Sequence, residues 1–355
     1  MSSDDVRGLD PLLAGIEGEG SQQRVGDEPP GALEPVDVWK RVPGRSTDLD
    51  YFGRPVLKEP VWIWTVPAYF YAGGAAGAAV VLGETATALG RGEVDGLARK
   101  TRWIGAAGTC VGTILLIADL GRPERFLNML RVFRPTSAMS VGSWLLAAST
   151  PIFSASAALR RSRSAATRLD RTAGGLAAAL GLPLAGYTAV LLSSTAIPIW
   201  QQVRRELPFL FAASAMSSAT SLLSLMKLGD DEADIVERFG FIAEIGELVA
   251  GYAVERRARA TPAVMKSLEH GAAGALWRFS KAANIAGLLL QIAPGGGRRR
   301  RVVAGIVGTL GSLALRYGVV DAGKASARDA HASFEQQRSG RGAAEVTGRP
   351  AVAPP

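Results

Sequence analysis

Soft metal ligands are nearly absent from this chain. Its 355 residues contain one cysteine, Cys110, and two histidines, His270 and His331. One cysteine cannot close a disulfide within the chain, ligate an iron–sulfur cluster or build a cysteine zinc site. Two histidines leave little for a histidine-ligated haem. No glycine loop follows a strand pattern to cradle a phosphate, and no Ser/His/Asp set can be assembled. Charge is also scarce over long distances. Charged residues make up 20 % of the chain and the net charge is +8, but the arginines are concentrated in short segments between long uncharged ones. That alternation is a membrane pattern and argues against soluble domains. Mean hydropathy is only +0.15 because both ends are polar.

The ends carry no apolar periodicity. Residues 1–44 are expected to form a disordered tail, 45–323 the membrane domain, and 324–355 a second disordered tail. Met1 to Gly20 has no basic start, no apolar run and no twin arginine, so the first span is expected to direct insertion.

Five runs are long enough, or nearly so, to cross a bilayer, which takes about 20 residues. They are Pro60 to Gly83, Trp103 to Ala118, Pro135 to Leu159, Thr172 to Val203 and Leu207 to Met226. In the first, Gly73 and Gly77 predict close approach of another helix. The second spans if its flanking charges, Arg102 and Asp119, snorkel. Pro198 is expected to end the fourth helix. Three weaker spans follow: Phe239 to Val254 with Glu244 and Glu247, Gly271 to Ala293 with Arg278 and Lys281, and Val302 to Val320 with Arg316. A charge at mid-bilayer costs about 2.5–3.5 kcal/mol on insertion scales. Glu244 and Glu247 must therefore face other helices or water, or be protonated; the alternative is an amphipathic surface helix. The expectation is an all-α integral membrane protein of about eight transmembrane helices, with both ends on one face. Lys and Arg near that face number 16 against 14 opposite, which sets no orientation.

Several constellations could carry chemistry. The segment from Asp119 to Ser140 places Arg122, Arg125, Arg131 and Arg134 beside Phe126, Leu127, Leu130 and Phe133, an interfacial helix by composition, with Pro123 in its first turn. Its arginines suit lipid phosphates or an acidic partner. Trp62 and Trp64, before the first span, fit an aromatic belt and could in addition line a pocket. Tyr187, inside the fourth span, needs a hydrogen-bond partner, either a neighbouring helix or a ligand. Pro294 to Arg301 reads as a tight basic loop at anionic headgroups, not as a nucleic-acid site. Asp230, Asp231, Glu232, Asp234 and Glu237 read as a solvated turn and helix start.

These residues also resemble a family. Trp62 to Gly83, Asp119-Leu-Gly-Arg-Pro-Glu-Arg-Phe, Arg134-Pro-Thr-Ser-Ala-Met-Ser-Val-Gly-Ser-Trp144, Gly186-Tyr-Thr and Pro198-Ile-Trp stand in the order seen in the NrfD family, the membrane subunits of polysulfide-reductase-type complexes. The resemblance covers roughly residues 50–320. It implies eight helices in two four-helix bundles, in the cell (inner or plasma) membrane. It further implies electron exchange between a ferredoxin-like iron–sulfur subunit and a quinone, menaquinone by expectation, with a molybdopterin catalytic subunit behind it. Neither haem nor an iron–sulfur cluster is expected in this chain. On that basis Tyr187, Trp62, Trp64, Trp144 and Ser137 are candidate quinone contacts. Glu59, Asp119, Glu244 and Glu247 are candidate proton carriers, and Arg122, Arg125, Arg131 and Arg134 candidate docking residues. The first span lacks the histidine that some relatives place near the quinone. Two rival readings are a passive anchor without quinone chemistry and a proton- or ion-translocating protein, the latter motivated by Glu244, Glu247 and Asp119.

Overall fold

The computed structural model describes residues 55, 57–90, 94–120, 124–161, 168–293 and 297–338. Among them are twelve helices and no strand. Eight have at least 18 residues: α1 (Thr65–Leu89), α2 (Asp95–Asp119), α4 (Ala138–Arg161), α5 (Arg168–Ser193), α7 (Leu207–Ser224), α8 (Asp230–Ala258), α10 (Gly271–Ile292) and α11 (Arg298–Arg328). Short helices α3 (Glu124–Met129), α6 (Pro198–Gln202), α9 (Pro262–Glu269) and α12 (Ala330–Arg338) lie between or after them. Of the long helices, α1, α2, α5, α7 and α11 are long and apolar enough to cross a membrane.

The packing closes into two rings. α1, α2, α4 and α5 form one, each touching its neighbours around the ring, and α7, α8, α10 and α11 form the other. The seam between them is α7 and α11 against α1, with α7 also against α5. α1 is the hub, and small residues let it be one. A Cβ on Gly77 would collide with the backbone of Gly181 on α5, so the two helices cross almost backbone to backbone. Gly73, the other half of the expected pair, meets only the Tyr69 side chain of its own helix.

Polar groups gather at the two ends of the rings. At one end, Arg102 of α2 is 2 % exposed. It donates to Glu84 of α1 at 2.7 Å and to Asp170 of α5 at 2.5 Å, while Arg160 of α4 ties Asp170 to Asp95. Lys100 pairs with Glu232 at the start of α8, and Arg300 with Glu237 at 3.8 Å. At the other end, Thr65 and Asp119 join the start of α1 to the end of α2 at 3.1 Å. There α6, α9, α12 and the end of α11 pack together, and Arg328 clamps Glu59 through two hydrogen bonds of 2.6 and 2.5 Å.

Four expectations change. Arg102 does not snorkel: α2 begins two turns earlier, at Asp95, so Arg102 lies within the ring and is neutralised there. Pro198 starts α6 instead of ending α5, which stops at Ser193; proline at the first helical position gives up a donor that has no partner anyway. Arg298 to Arg301 are the first turn of α11, not a loop. Helix also continues past residue 323, through α11 and α12. Burial there rests on Ser326, Ala327, Ala330 and Ala332, small residues that hydropathy does not flag. Residues 1–44, Arg122, Pro123 and residues 294–296 lie outside the described residues.

Candidate functional site

The end of the first ring that holds Asp119 and Glu59 is rich in aromatic groups. Trp62 stacks on Trp200 of α6, centroids 5.5 Å apart and planes 17° apart, and meets Phe70 of α1 edge-on at 6.2 Å. Trp200 is fully buried and donates its indole N–H to Val319 O at 2.9 Å. Phe70 continues the cluster to Tyr69 at 5.6 Å and Phe211 at 6.4 Å. Tyr69 in turn interacts electrostatically with Tyr187 of α5. The Tyr187 ring is packed so closely on α4 that a Cβ on Gly142 would collide with it. Its hydroxyl is buried with no hydrogen-bond partner of good geometry, and the Gly142 backbone is the polar group beside it.

The other candidates divide. Trp64 is 63 % exposed and holds its place through its carbonyl, which accepts from Tyr317 at 2.9 Å. That fits a belt residue better than a pocket wall. Trp144, 39 % exposed, rests edge-on against Phe133 at 6.1 Å. Ser137 is half-buried, and its hydroxyl accepts from the Ser140 N–H at 3.4 Å. Asp119 accepts from the Thr65 hydroxyl at the start of α1. Glu59 is held by Arg328, whose hydrogen bonds keep its carboxyl below the usual range. Arg131 and Arg134 are exposed, as are Leu127, Val132 and Phe133 between and beside them. Arg122 lies outside the described residues, as does the side chain of Arg125.

Glu244 and Glu247 are not part of this constellation. They belong to α8 in the second ring and point inward, each 5 % exposed. On the same helix Ile242, Ile245, Val249 and Tyr252 are exposed. α8 is thus apolar outside and acidic inside, the reverse of a surface helix in water. Reading the sequence alone missed three groups here. Tyr69 sits in an apolar run and looks like core. Arg316 looked terminal because α11 extends beyond the expected span; it is fully buried. Asn284 gave no signal beyond being polar in an apolar stretch. Among the described residues, no group of three or more His, Cys, Asp or Glu could hold a metal ion.

A family model described as polysulfide reductase, of the NrfD type, matches residues 50–329. The chain belongs to the NrfD polysulfide reductase family. As an NrfD protein it is a multi-pass membrane protein, the membrane subunit of an oxidoreductase that works with iron–sulfur subunits. No curated protein matches the chain. For an NrfD chain the aromatic cluster and Tyr187 form the candidate site, with Arg131 and Arg134 on the segment that leads into α4.

Proposed function

We propose that this NrfD subunit exchanges electrons between a docked ferredoxin-like iron–sulfur protein and a membrane quinone, menaquinone by preference, in addition to anchoring the complex. The molybdopterin subunit lies beyond the iron–sulfur protein. The single observation that carries the reading is the Tyr187 hydroxyl, buried in the first ring without a good partner. A buried hydroxyl normally finds one. A quinone carbonyl would accept from it, and the aromatic cluster that runs from Tyr69 through Phe70 to Trp62 supplies apolar surface for the ring or tail. Tyrosine donates without placing a permanent charge in the membrane. The quinone supplies the electron-accepting chemistry; the chain supplies the slot, the donor and the partner surface.

The same reading takes all eight long helices as spans. α4, α8 and α10 are not among the five helices apolar enough to span, but all three expose apolar faces, with Met139 and Trp144 on α4 and Phe279, Ile285, Leu289 and Ile292 on α10. An even number puts the arm before α1 and the end of α11 on one face, in keeping with the Glu59–Arg328 clamp.

Two variants test the site. Tyr187→Phe removes only the hydroxyl; Gly142→Ala keeps it and displaces the ring. Both are expected to lower quinone-linked turnover of the whole complex while leaving assembly and the dye-linked activity of the catalytic subunit unchanged. Quinone turnover equal to the parent in Tyr187→Phe would leave a passive anchor.

A further inference from the structure

The second ring closes least tightly between α8 and α10. Of the four helix contacts around it, that one is the sparsest, and two clefts lie there beside Gln291 of α10. The inner one, about 370 Å³, is walled by all four helices and holds Glu237, Arg300 and Arg301. The outer one, about 690 Å³, is a groove between α8 and α10, lined by Glu237, Arg238, Phe241, Ile242, Gln291 and Ile292. Glu237 and Gln291 belong to both, so the two clefts share a wall.

The groove is apolar along its length and charged at one end. Phe241, Ile242 and Ile292 are exposed in it. Ile245 and Val249 stand three and seven residues after Ile242, and Leu289 and Ile285 three and seven before Ile292, on the same side of each helix; all four are exposed. From Arg238 to Val249 the helix rises about 16 Å, half the hydrocarbon thickness of about 30 Å. The charged end carries both signs, poorly matched. Arg238 is exposed and Arg301 half-buried, neither in an ion pair among the described residues. Glu237 has one ion pair among those residues, a loose one to Arg300 at 3.8 Å, and Arg300 also donates to Ala293 O. Gln291 donates to Glu244 at 2.8 Å, while its Oε1 is buried and accepts from nothing. A buried acceptor normally meets a donor. Two acceptors, Glu237 and Gln291 Oε1, therefore stand among unpaired guanidinium groups at the head of a one-leaflet apolar groove. A fitting ligand carries N–H donors, an anion and a hydrocarbon chain.

We propose that the groove between α8 and α10 binds one aminophospholipid, phosphatidylethanolamine in kind. Its phosphate meets Arg238 and Arg301. Its ammonium donates to Glu237 and to Gln291 Oε1. One acyl chain lies along Phe241, Ile242 and Ile292 toward mid-bilayer and fills the sparse contact between the two helices. The head group sets the choice of lipid. Phosphatidylcholine has the same net charge, but its quaternary nitrogen carries no N–H to give to either acceptor. Phosphatidylglycerol has hydroxyl donors, but it leaves the Glu237 carboxylate beside a net negative head group with no cation between them. The proposal rests on α8 and α10 crossing the bilayer and makes no use of quinone exchange.

The test is native mass spectrometry of the full chain in detergent, titrated with phosphatidylethanolamine, phosphatidylcholine or phosphatidylglycerol of identical acyl chains. Neither quinone nor partner protein enters, so the outcome is independent of the electron-transfer reading. The parent chain should take up one phosphatidylethanolamine about tenfold more tightly than either of the others, the loss of one or two charge-assisted hydrogen bonds. That comparison needs no variant to fold. Glu237→Gln should bring phosphatidylethanolamine down to the level of phosphatidylcholine. Arg238→Gln with Arg301→Gln should weaken all three lipids. Arg171→Gln, exposed near the start of α5 in the other ring, should change none. Phosphatidylglycerol bound as tightly as phosphatidylethanolamine would reduce the site to a basic patch, and phosphatidylcholine bound as tightly would reduce it to an apolar groove. Either result, or unchanged phosphatidylethanolamine binding in Glu237→Gln, would overturn the proposal.

Discussion

Arg102 shows how a single side chain can decide the packing of four helices. Its guanidinium reaches Glu84, Asp170 and the Ser156 carbonyl, so it touches α1, α4 and α5 from its own position on α2. Asp170 is shared with Arg160. A buried ion pair gains little over an apolar replacement of the whole group, but removing one member strands the others. Arg102→Met should therefore cost about 3–5 kcal/mol, read as a lower unfolding midpoint in denaturing detergent. Adding Glu84→Gln and Asp170→Asn removes the stranded charges and should recover part of the loss. Recovery would set Arg102 apart from Arg316, whose orphaned nitrogens have no such closed set of partners.

Among the elements, the arm before α1 is held by a clamp that titrates. Arg328 clamps Glu59, Lys324 donates to Trp62 O at 2.6 Å, and Tyr317 donates to Trp64 O. The Arg328 hydrogen bonds lower the Glu59 carboxyl below its ordinary value. A lowered carboxyl stabilises the folded state above its unfolded value, and that contribution is lost as pH falls through the folded value. The pair is partly exposed, so its worth is at most about 1 kcal/mol. A spin label at an introduced cysteine, Val61→Cys with Cys110→Ser, should gain mobility as pH falls into the acid range. With Glu59→Gln added, the label should be mobile at every pH. The strap was not legible in the sequence because its two halves lie 269 residues apart. Four of the five most apolar spans, α1, α2, α5 and α7, were legible as long uncharged runs, since hydrocarbon thickness imposes a length that few soluble helices meet without charge; α11 was expected only as a weaker span, and the uncharged run that became α4 is not among the five. α8 was half-legible. Glu244 and Glu247 announced that something must shield them, but only the structure shows Asn284, Ser214 and Arg316 on the facing helices. Tyr187 stood out as the hydroxyl in an apolar span; the Gly142 contact that seats it joins residues on different helices and leaves no local pattern.

For the molecule as a whole, the proposed electron route depends on which ends face which side. Asp119, Glu59, α6, α9 and α12 belong to one end; Glu84, Asp170, Glu232 and Arg300 belong to the other. If all eight long helices span, Thr136 and His331 lie on the first side and Lys227 on the second. All three are exposed, so each accepts a cysteine without disturbing the core. With Cys110→Ser as background, Thr136→Cys and His331→Cys should react with a membrane-impermeant maleimide from the same side, and Lys227→Cys from the opposite one. Arg131 and Arg134 lie just before Thr136 in sequence and are exposed beside Phe133. Rim charges of this kind steer and orient a partner more than they hold it. Binding of the iron–sulfur subunit should therefore shield Thr136→Cys and leave Lys227→Cys reactive. Arg131→Glu with Arg134→Glu should abolish the shielding while the sidedness of all three labels stays the same. Shielding that survives the double reversal would move the docking surface elsewhere on that end; shielding of Lys227→Cys instead would move it to the other side of the membrane.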